Sequence, residues 1–168
     1  MLVLGIDPGL AITGYAVIGE EVDAPQLFAA GAIRTESKLP LTKRLLELRR
    51  QLSAVAGAHK PDAVAVEELF FGRNARTALA VGQARGVALL ACAELGVPIY
   101  QYKPAEVKEA VTGYGAAPKA QVQEMVRLLL RLPVPLEPDD VADAAAVALC
   151  HLRYGLAFAC GLMAERAI

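Results

Sequence analysis

Aromatic side chains are scarce in this chain: they make up 5% of the residues, while hydrophobic residues make up 55%. A core must therefore be filled mainly by Ala, Val and Leu, which suits helices packed closely on a sheet. Cysteine is sparse as well. Cys92, Cys150 and Cys160 lack metal-type spacing, and an odd number in a chain without a secretory leader points to free thiols in a reducing cytoplasm, the expected location. No apolar run approaches the ~18 residues that span a bilayer, so no membrane partner is expected. The N-terminal MLVLGIDPGL has no basic flank and is broken by Asp7, Pro8 and Gly9, which makes it a strand and turn. Net charge is nearly absent at −1, which argues against a uniformly basic surface for polyanions. Repeats, linkers and low-complexity tracts are lacking too, and one domain over residues 1–168 is expected.

What is present is a clear sequence of periodicities. The first seven residues are an apolar run, and LAITGYAVIG after the Pro-Gly turn alternates as a paired second strand. A third strand near Leu27 to Arg34 completes an antiparallel meander. From Leu41 to Val55 the period changes, with Leu45, Leu48, Leu52 and Val55 on one stripe and Lys43, Arg49 and Arg50 off it. This is an amphipathic helix ended by His59, Lys60 and Pro61. AVAVE at 63–67 predicts a short buried strand, followed by a loop from Phe70 to Asn74, a helix to about Leu95 and a strand at 97–102. Short helices near 104–111 and 119–131 and a final helix from about Asp140 complete the chain. The fold class is α/β: a mixed sheet of three antiparallel strands followed by parallel strands, with helices on both faces.

Acidic groups stand at the ends of elements that otherwise hold almost none. Asp7 ends the first strand, Glu67 ends the strand AVAVE, and Asp140 and Asp143 open the last helix. Parallel neighbouring strands end side by side, and residues three apart share a helix face, so these four carboxylates can converge. Unpaired, they would repel and some would protonate. Hard divalent cations relieve this, and Mg²⁺ is the expected cofactor, with Mn²⁺ a possible substitute. Two ions about 3.5–4 Å apart serve phosphodiester hydrolysis, one beside the attacking water and one beside the leaving 3′-oxygen. If 4 of the 18 acidic side chains hold two divalent ions, the net charge moves from −1 to +3. Taken singly, each acid has a plainer explanation: Asp140 and Asp143 offset a helix dipole, and Asp7 forms an Asp-Pro-Gly turn. Glu67, closing an apolar strand, has none so ready.

Read together, GIDPGLAITGYAVI at 5–18, PDAVAVEELFF at 61–71, NARTALAVGQARGVAL at 74–89, VKEAVTGYGAAPKAQVQ at 107–123 and DDVADAAAVALCH at 139–151 resemble the RuvC family of Holliday junction resolvases. The resemblance runs in order over nearly the whole chain. It implies an RNase H-like fold and a magnesium-dependent endonuclease of DNA recombination and repair. Such an enzyme acts as a homodimer and nicks a four-way DNA junction symmetrically on two strands. The resemblance also selects the metal ligands Asp7, Glu67, Asp140 and Asp143. Glu68 faces away from Glu67's side of the strand, and Asp139 is left as a helix N-cap or its neighbour. A GIDPG turn alone also opens sugar kinases and actin-like ATPases, which need two such domains.

The same resemblance points to DNA-binding positions. Phe70 and Phe71 follow Glu67, and one of them would stack as a wedge at the junction centre, although Phe71 serves equally well as a core anchor. Arg73, Asn74 and Arg76 come next. Lys108 and Lys119 match basic family positions near the metal site, and Lys103 is a further phosphate contact; Lys119 is also assigned to catalysis, neutralising charge that develops on the phosphate. The Ala- and Gly-rich helix from Asn74 to Glu94 suits either a two-fold interface or burial against the sheet, and only the resemblance favours the dimer. It also implies a branch-migration complex of RuvA- and RuvB-type proteins as partner. His59 and His151 are expected to be structural, bonded to carbonyl groups. Two other functions stay open: an inert junction-binding protein that recruits partners, and an RNase H-like nuclease acting on other nucleic acids.

Overall fold

Among the described residues, apolar segments build five strands, β1 (Leu2–Asp7), β2 (Ile12–Glu20), β3 (Pro25–Arg34), β4 (Ala63–Glu67) and β5 (Ile99–Tyr102). The computed structural model describes residues 1–20, 24–68, 75–159 and 167–168, with side chains for all of these except 75–77 and 156–159. Among the described residues the strands form one sheet in the order β3-β2-β1-β4-β5. The first three are antiparallel, and β4 and β5 run parallel to β1, as the mixed-sheet expectation requires.

Among the described residues five helices cover the sheet: α1 (Leu41–His59), α2 (Ala75–Ala93), α3 (Pro104–Thr112), α4 (Lys119–Leu129) and α5 (Asp139–Ala159). Strand side chains alternate between two cores. Leu4, Ile6, Val17, Val64 and Val66 face α1 and α2, meeting Leu48, Leu52, Ala84 and Ala88. Val3, Ala16, Ile18 and Ala65 face the other way, onto α3, α4 and the alanine-rich side of α5. The α1 stripe is shifted from that expected: Leu48, Leu52 and Ala56 are buried, and the helix continues to His59. Lys60 then adopts a left-handed conformation, φ 49°, and its N–H caps the Ala56 carbonyl. Pro61 cannot extend the helix beyond it.

Two glycines set the height of α5 above the sheet. A Cβ on Gly5 of β1 would stand 2.0 Å from the Ala144 carbonyl oxygen, and one on Gly14 of β2 would stand 1.9 Å from that of Asp140. Real side chains cannot approach so closely, so α5 lies backbone to backbone on β1 and β2 only because both positions are glycine. The same contact brings the first turns of α5 to the strand edge where β1 and β4 end.

Candidate active site

The parallel ladder pairs Ile6 of β1 with Val66 of β4 and ends there, so Asp7 and Glu67 close neighbouring strands at one edge. Strand parity aims them. Val3 and Ala65 belong to the core under α5, and Asp7 and Glu67 share their parity, so both carboxylates face α5. Glu68 takes the opposite side and is exposed, as expected. Asp143 comes from the second turn of α5, Lys119 from the start of α4 and Lys108 from α3. Together Asp7, Glu67, Asp143, Lys108 and Lys119 line a cavity of about 210 Å³ whose remaining wall is Ile6, Val107, Val122 and Val147.

The electrostatics record the crowding of negative charge. Burial, then Asp143, Glu67 and Asp140, push the Asp7 carboxyl from 3.8 up to about 7, against the opposing pull of Lys119. Burial and Asp143 raise Glu67 as well, with Lys108 and Lys119 pulling it down. Asp143 is raised chiefly by burial, which outweighs its ion pair with Lys119. The Lys119 ammonium lies 2.8 Å from Asp143 and 2.6 Å from Asp139. Burial alone would lower Lys119; the two carboxylates raise it above the ordinary lysine value. Asp139 in turn is held below the usual carboxylate range by its bond to Lys119.

Asp140 is set apart from the other three. Its neighbours across an open groove of about 540 Å³ are Gly9, Leu10 and Ala11 of the β1–β2 turn, Ile12 at the start of β2, Arg44 of α1, and Ala80 and Val81 of α2. It is nevertheless close enough to raise Asp7. The turn between the two hollows is firmly held: Thr13 Oγ1 donates to the Gly9 carbonyl at 2.7 Å, and Arg44 Nη2 donates to the Leu10 carbonyl at 3.1 Å. Among the described residues, no three His, Cys, Asp or Glu side chains are drawn tightly enough in this conformation to enclose an ion. The donor set is nonetheless all carboxylate oxygen, half-buried and mutually repelling, which is the chemistry a hard divalent cation relieves. One of its members, Asp143, is paired with the Lys119 ammonium.

The other expected positions are distributed as follows. Lys103 is exposed at the entry to α3, where its backbone N–H donates to the Glu106 carboxylate at 2.8 Å, and it does not line the cavity. Phe70, Phe71, Arg73 and Asn74 lie outside the described residues, as does the side chain of Arg76 near the start of α2. His151 departs from the carbonyl partner expected for it: Nδ1 lies 2.6 Å from the Tyr102 hydroxyl, and burial lowers its pKa to about 4. Cys92 is buried and its thiol is pushed up to about 12, and Cys150 is buried and takes no part in a disulfide. Cys160 lies outside the described residues.

Three contributions escaped the sequence reading. Gly5 and Gly14 admit α5, and glycine within an apolar strand was their available signal. Asp139 binds Lys119 in addition to opening α5, a role invisible from its neighbours in the chain. Buried Arg85 of α2 donates to the Glu67 carbonyl oxygen.

Comparison with known proteins shows what the chain and its fold are similar to. The family model described as crossover junction endodeoxyribonuclease RuvC matches residues 3–151. A crossover junction endodeoxyribonuclease RuvC from Desulforamulus reducens is 53% identical over 158 residues, covering 94% of this chain and 97% of the relative. The structure of Thermus thermophilus RuvC superposes with a TM-score of 0.88 at 36% identity, covering 100% of both chains. The same T. thermophilus protein in complex with Holliday junction substrate superposes with a TM-score of 0.88 at 34% identity, again covering 100% of both. The fold is therefore RNase H-like.

Proposed function

The chain belongs to the RuvC family of crossover junction endodeoxyribonucleases and resolves Holliday junctions, and from that premise we propose that Asp7, Glu67, Asp140 and Asp143 bind the divalent ions of its phosphodiester hydrolysis. The supporting observation is the cavity where β1, β4 and α5 bring three carboxylates together and where Asp7 is raised to about 7 by burial and its acidic neighbours. Two Mg²⁺ ions, with Mn²⁺ as substitute, would supply activation of the attacking water and stabilisation of the leaving 3′-oxygen.

The chain's own residues supply the rest. Asp7 and Glu67, fixed at strand ends, form the rigid side of the ligand set. Asp143 is carried on α5, and Asp140 on the same helix approaches from the neighbouring groove. Lys108 and Lys119 set positive charge on the cavity wall, where the scissile phosphate is received and its developing charge is offset. Lys119 is about half exposed and held by ion pairs, so it can exchange a carboxylate for a phosphate oxygen. Val107, Val122 and Val147 back the cavity with apolar surface that keeps bulk water from its floor.

Residues 1–168 act as one nuclease domain, in the cytoplasm, as a homodimer that makes paired symmetric nicks. Among the described residues no helix is long and apolar enough to cross a membrane. Leu79 and Leu90 of α2 are 66% and 53% exposed, an apolar surface suited to the two-fold contact. Phe70, Phe71, Arg73, Asn74, Arg76 and Lys103 serve junction DNA, and RuvA- and RuvB-type proteins complete the assembly. A cleavage assay with Mg²⁺ on a four-way junction, a plain duplex and an RNA–DNA hybrid tests this function. Paired nicks confined to the junction are expected; binding without cutting would mark an inert recruitment protein, and preferential cutting of the hybrid a different nuclease.

A further inference from the structure

Arg85 sits on the inner side of α2, 8% exposed, and its Nη1 donates to the Glu67 carbonyl oxygen at 2.6 Å. Placing a guanidinium there is costly, because burial strips its hydration and lowers its pKa; the charge of Glu68 offsets only part of that. An apolar residue would fill an alanine-rich helix face more cheaply. The bond therefore needs a reason, and the sheet provides one.

The β1–β4 ladder stops at Ile6 and Val66, one residue short of the two carboxylates. On the opposite flank the Glu68 N–H donates to the Tyr102 carbonyl of β5 at 2.7 Å. Along a strand, adjacent residues direct their peptide groups to opposite flanks, so the Glu67 carbonyl emerges on the side where β1 has ceased to pair. A half-buried carbonyl left there would lack a protein partner, and the peptide would be freer to rotate. Arg85 occupies that position. With Tyr102 holding one side and Arg85 the other, the end of β4 is fixed in orientation, and with it the direction of the Glu67 Cα–Cβ bond toward Asp7 and Asp143.

We propose that Arg85 is a positioning residue of the nuclease site, holding the Glu67 peptide so that its carboxylate meets Asp7 and Asp143 at the separation a divalent ion requires. This rests on the reading of Glu67 as a metal ligand. Groups that orient a ligand without touching the ion typically govern affinity about 10- to 100-fold.

The test is calorimetric titration of the full-length protein with Mn²⁺ alone, without DNA, for wild type, Arg85→Gln, Arg85→Lys and Asp7→Asn, each checked for fold by circular dichroism. Arg85→Gln is expected to bind Mn²⁺ about tenfold or more weakly while keeping its fold and its metal-free junction binding; Arg85→Lys, which retains a donor, is expected to fall between it and wild type. A folded Arg85→Gln with wild-type Mn²⁺ affinity overturns the proposal. So does failure of both variants to fold, since Arg85 would then be a core group with no separable effect on the site. Unchanged affinity in Asp7→Asn would instead overturn the carboxylate ligand set, and the positioning role with it.

Discussion

Lys119 holds its ammonium 2.8 Å from the Asp143 carboxylate, occupying the flank of the cavity with a positive charge that belongs to the protein. A second pair, to Asp139 at 2.6 Å, keeps that charge at the cavity mouth. Lys119 and Asp139 are both about half exposed, so their pair contributes little to stability, and its importance lies in where it holds the lysine. Lys119→Ala is expected to reduce single-turnover cleavage by roughly 100-fold or more while weakening metal-free junction binding by less than about tenfold. Equal losses in cleavage and gel-shift affinity would assign Lys119 to binding alone.

Asp7 and Glu67 are expected to behave as ligands, and Glu68 as a bystander to the chemistry. Asp7→Asn and Glu67→Gln should abolish nicking of a four-way junction yet leave junction binding intact or tighter, because each removes a negative charge facing phosphate. Glu68→Gln, on the far side of the strand, should cut at near the wild-type rate. Loss of folding in Asp7→Asn would identify Asp7 as a turn residue.

The raised Asp7 pKa also sets a pH dependence. Its carboxyl moves from 3.8 to about 7 on folding, so between those values the metal-free folded protein retains a proton that the unfolded chain has released. That contribution to stability is fully present below about pH 4 and is lost as pH rises through about 7. Glu67 and Asp143 are raised too and act in the same direction. Denaturant midpoints in EDTA should therefore decline from roughly pH 4 to pH 7 in wild type and decline less in Asp7→Asn. Added Mg²⁺ should restore stability to wild type more than to the variant. A decline of the same size in both proteins would show that Asp7 is not the group responsible.

Gly14 offers a purely steric test. Gly14→Ala places a Cβ against the Asp140 carbonyl and must lift the start of α5, carrying Asp140 and Asp143 with it. The expected cost is about 1–3 kcal/mol, with cleavage reduced further than the loss of folded protein explains. Gly57→Ala in α1, where nothing lies within 4 Å of the new Cβ, should instead stabilise by about 0.5–1 kcal/mol. Similar thermal shifts for both substitutions would remove the close-approach role from Gly14.

Periodicity revealed the sheet, the parallel placement of β4 beside β1 and the meeting of Asp7 with Glu67, because strand alternation and strand direction are written locally in the chain. What it could not reveal were relations fixed by the height and rotation of packed elements. Asp140 and Asp143 lie three residues apart on one helix, yet α5 crosses the sheet so that Asp143 enters the cavity and Asp140 faces the β1–β2 turn. Helical spacing defines a shared face about a turn wide, and a cavity edge can divide it. Asp139 reads locally as a helix start, and its bond to Lys119 depends on how α4 docks on α5. His151 finds a tyrosine hydroxyl instead of a carbonyl for the same kind of reason: β5, remote in the chain, lies beneath it.

The most direct measurement is the anomalous density of Mn²⁺ in crystals of the full chain. Two peaks are expected among Asp7, Glu67, Asp140 and Asp143, about 3.5–4 Å apart, with the Lys119 ammonium withdrawn from Asp143. Saturating Mn²⁺ with no peak at these four carboxylates, or with peaks only at carboxylates elsewhere, would contradict the assignment.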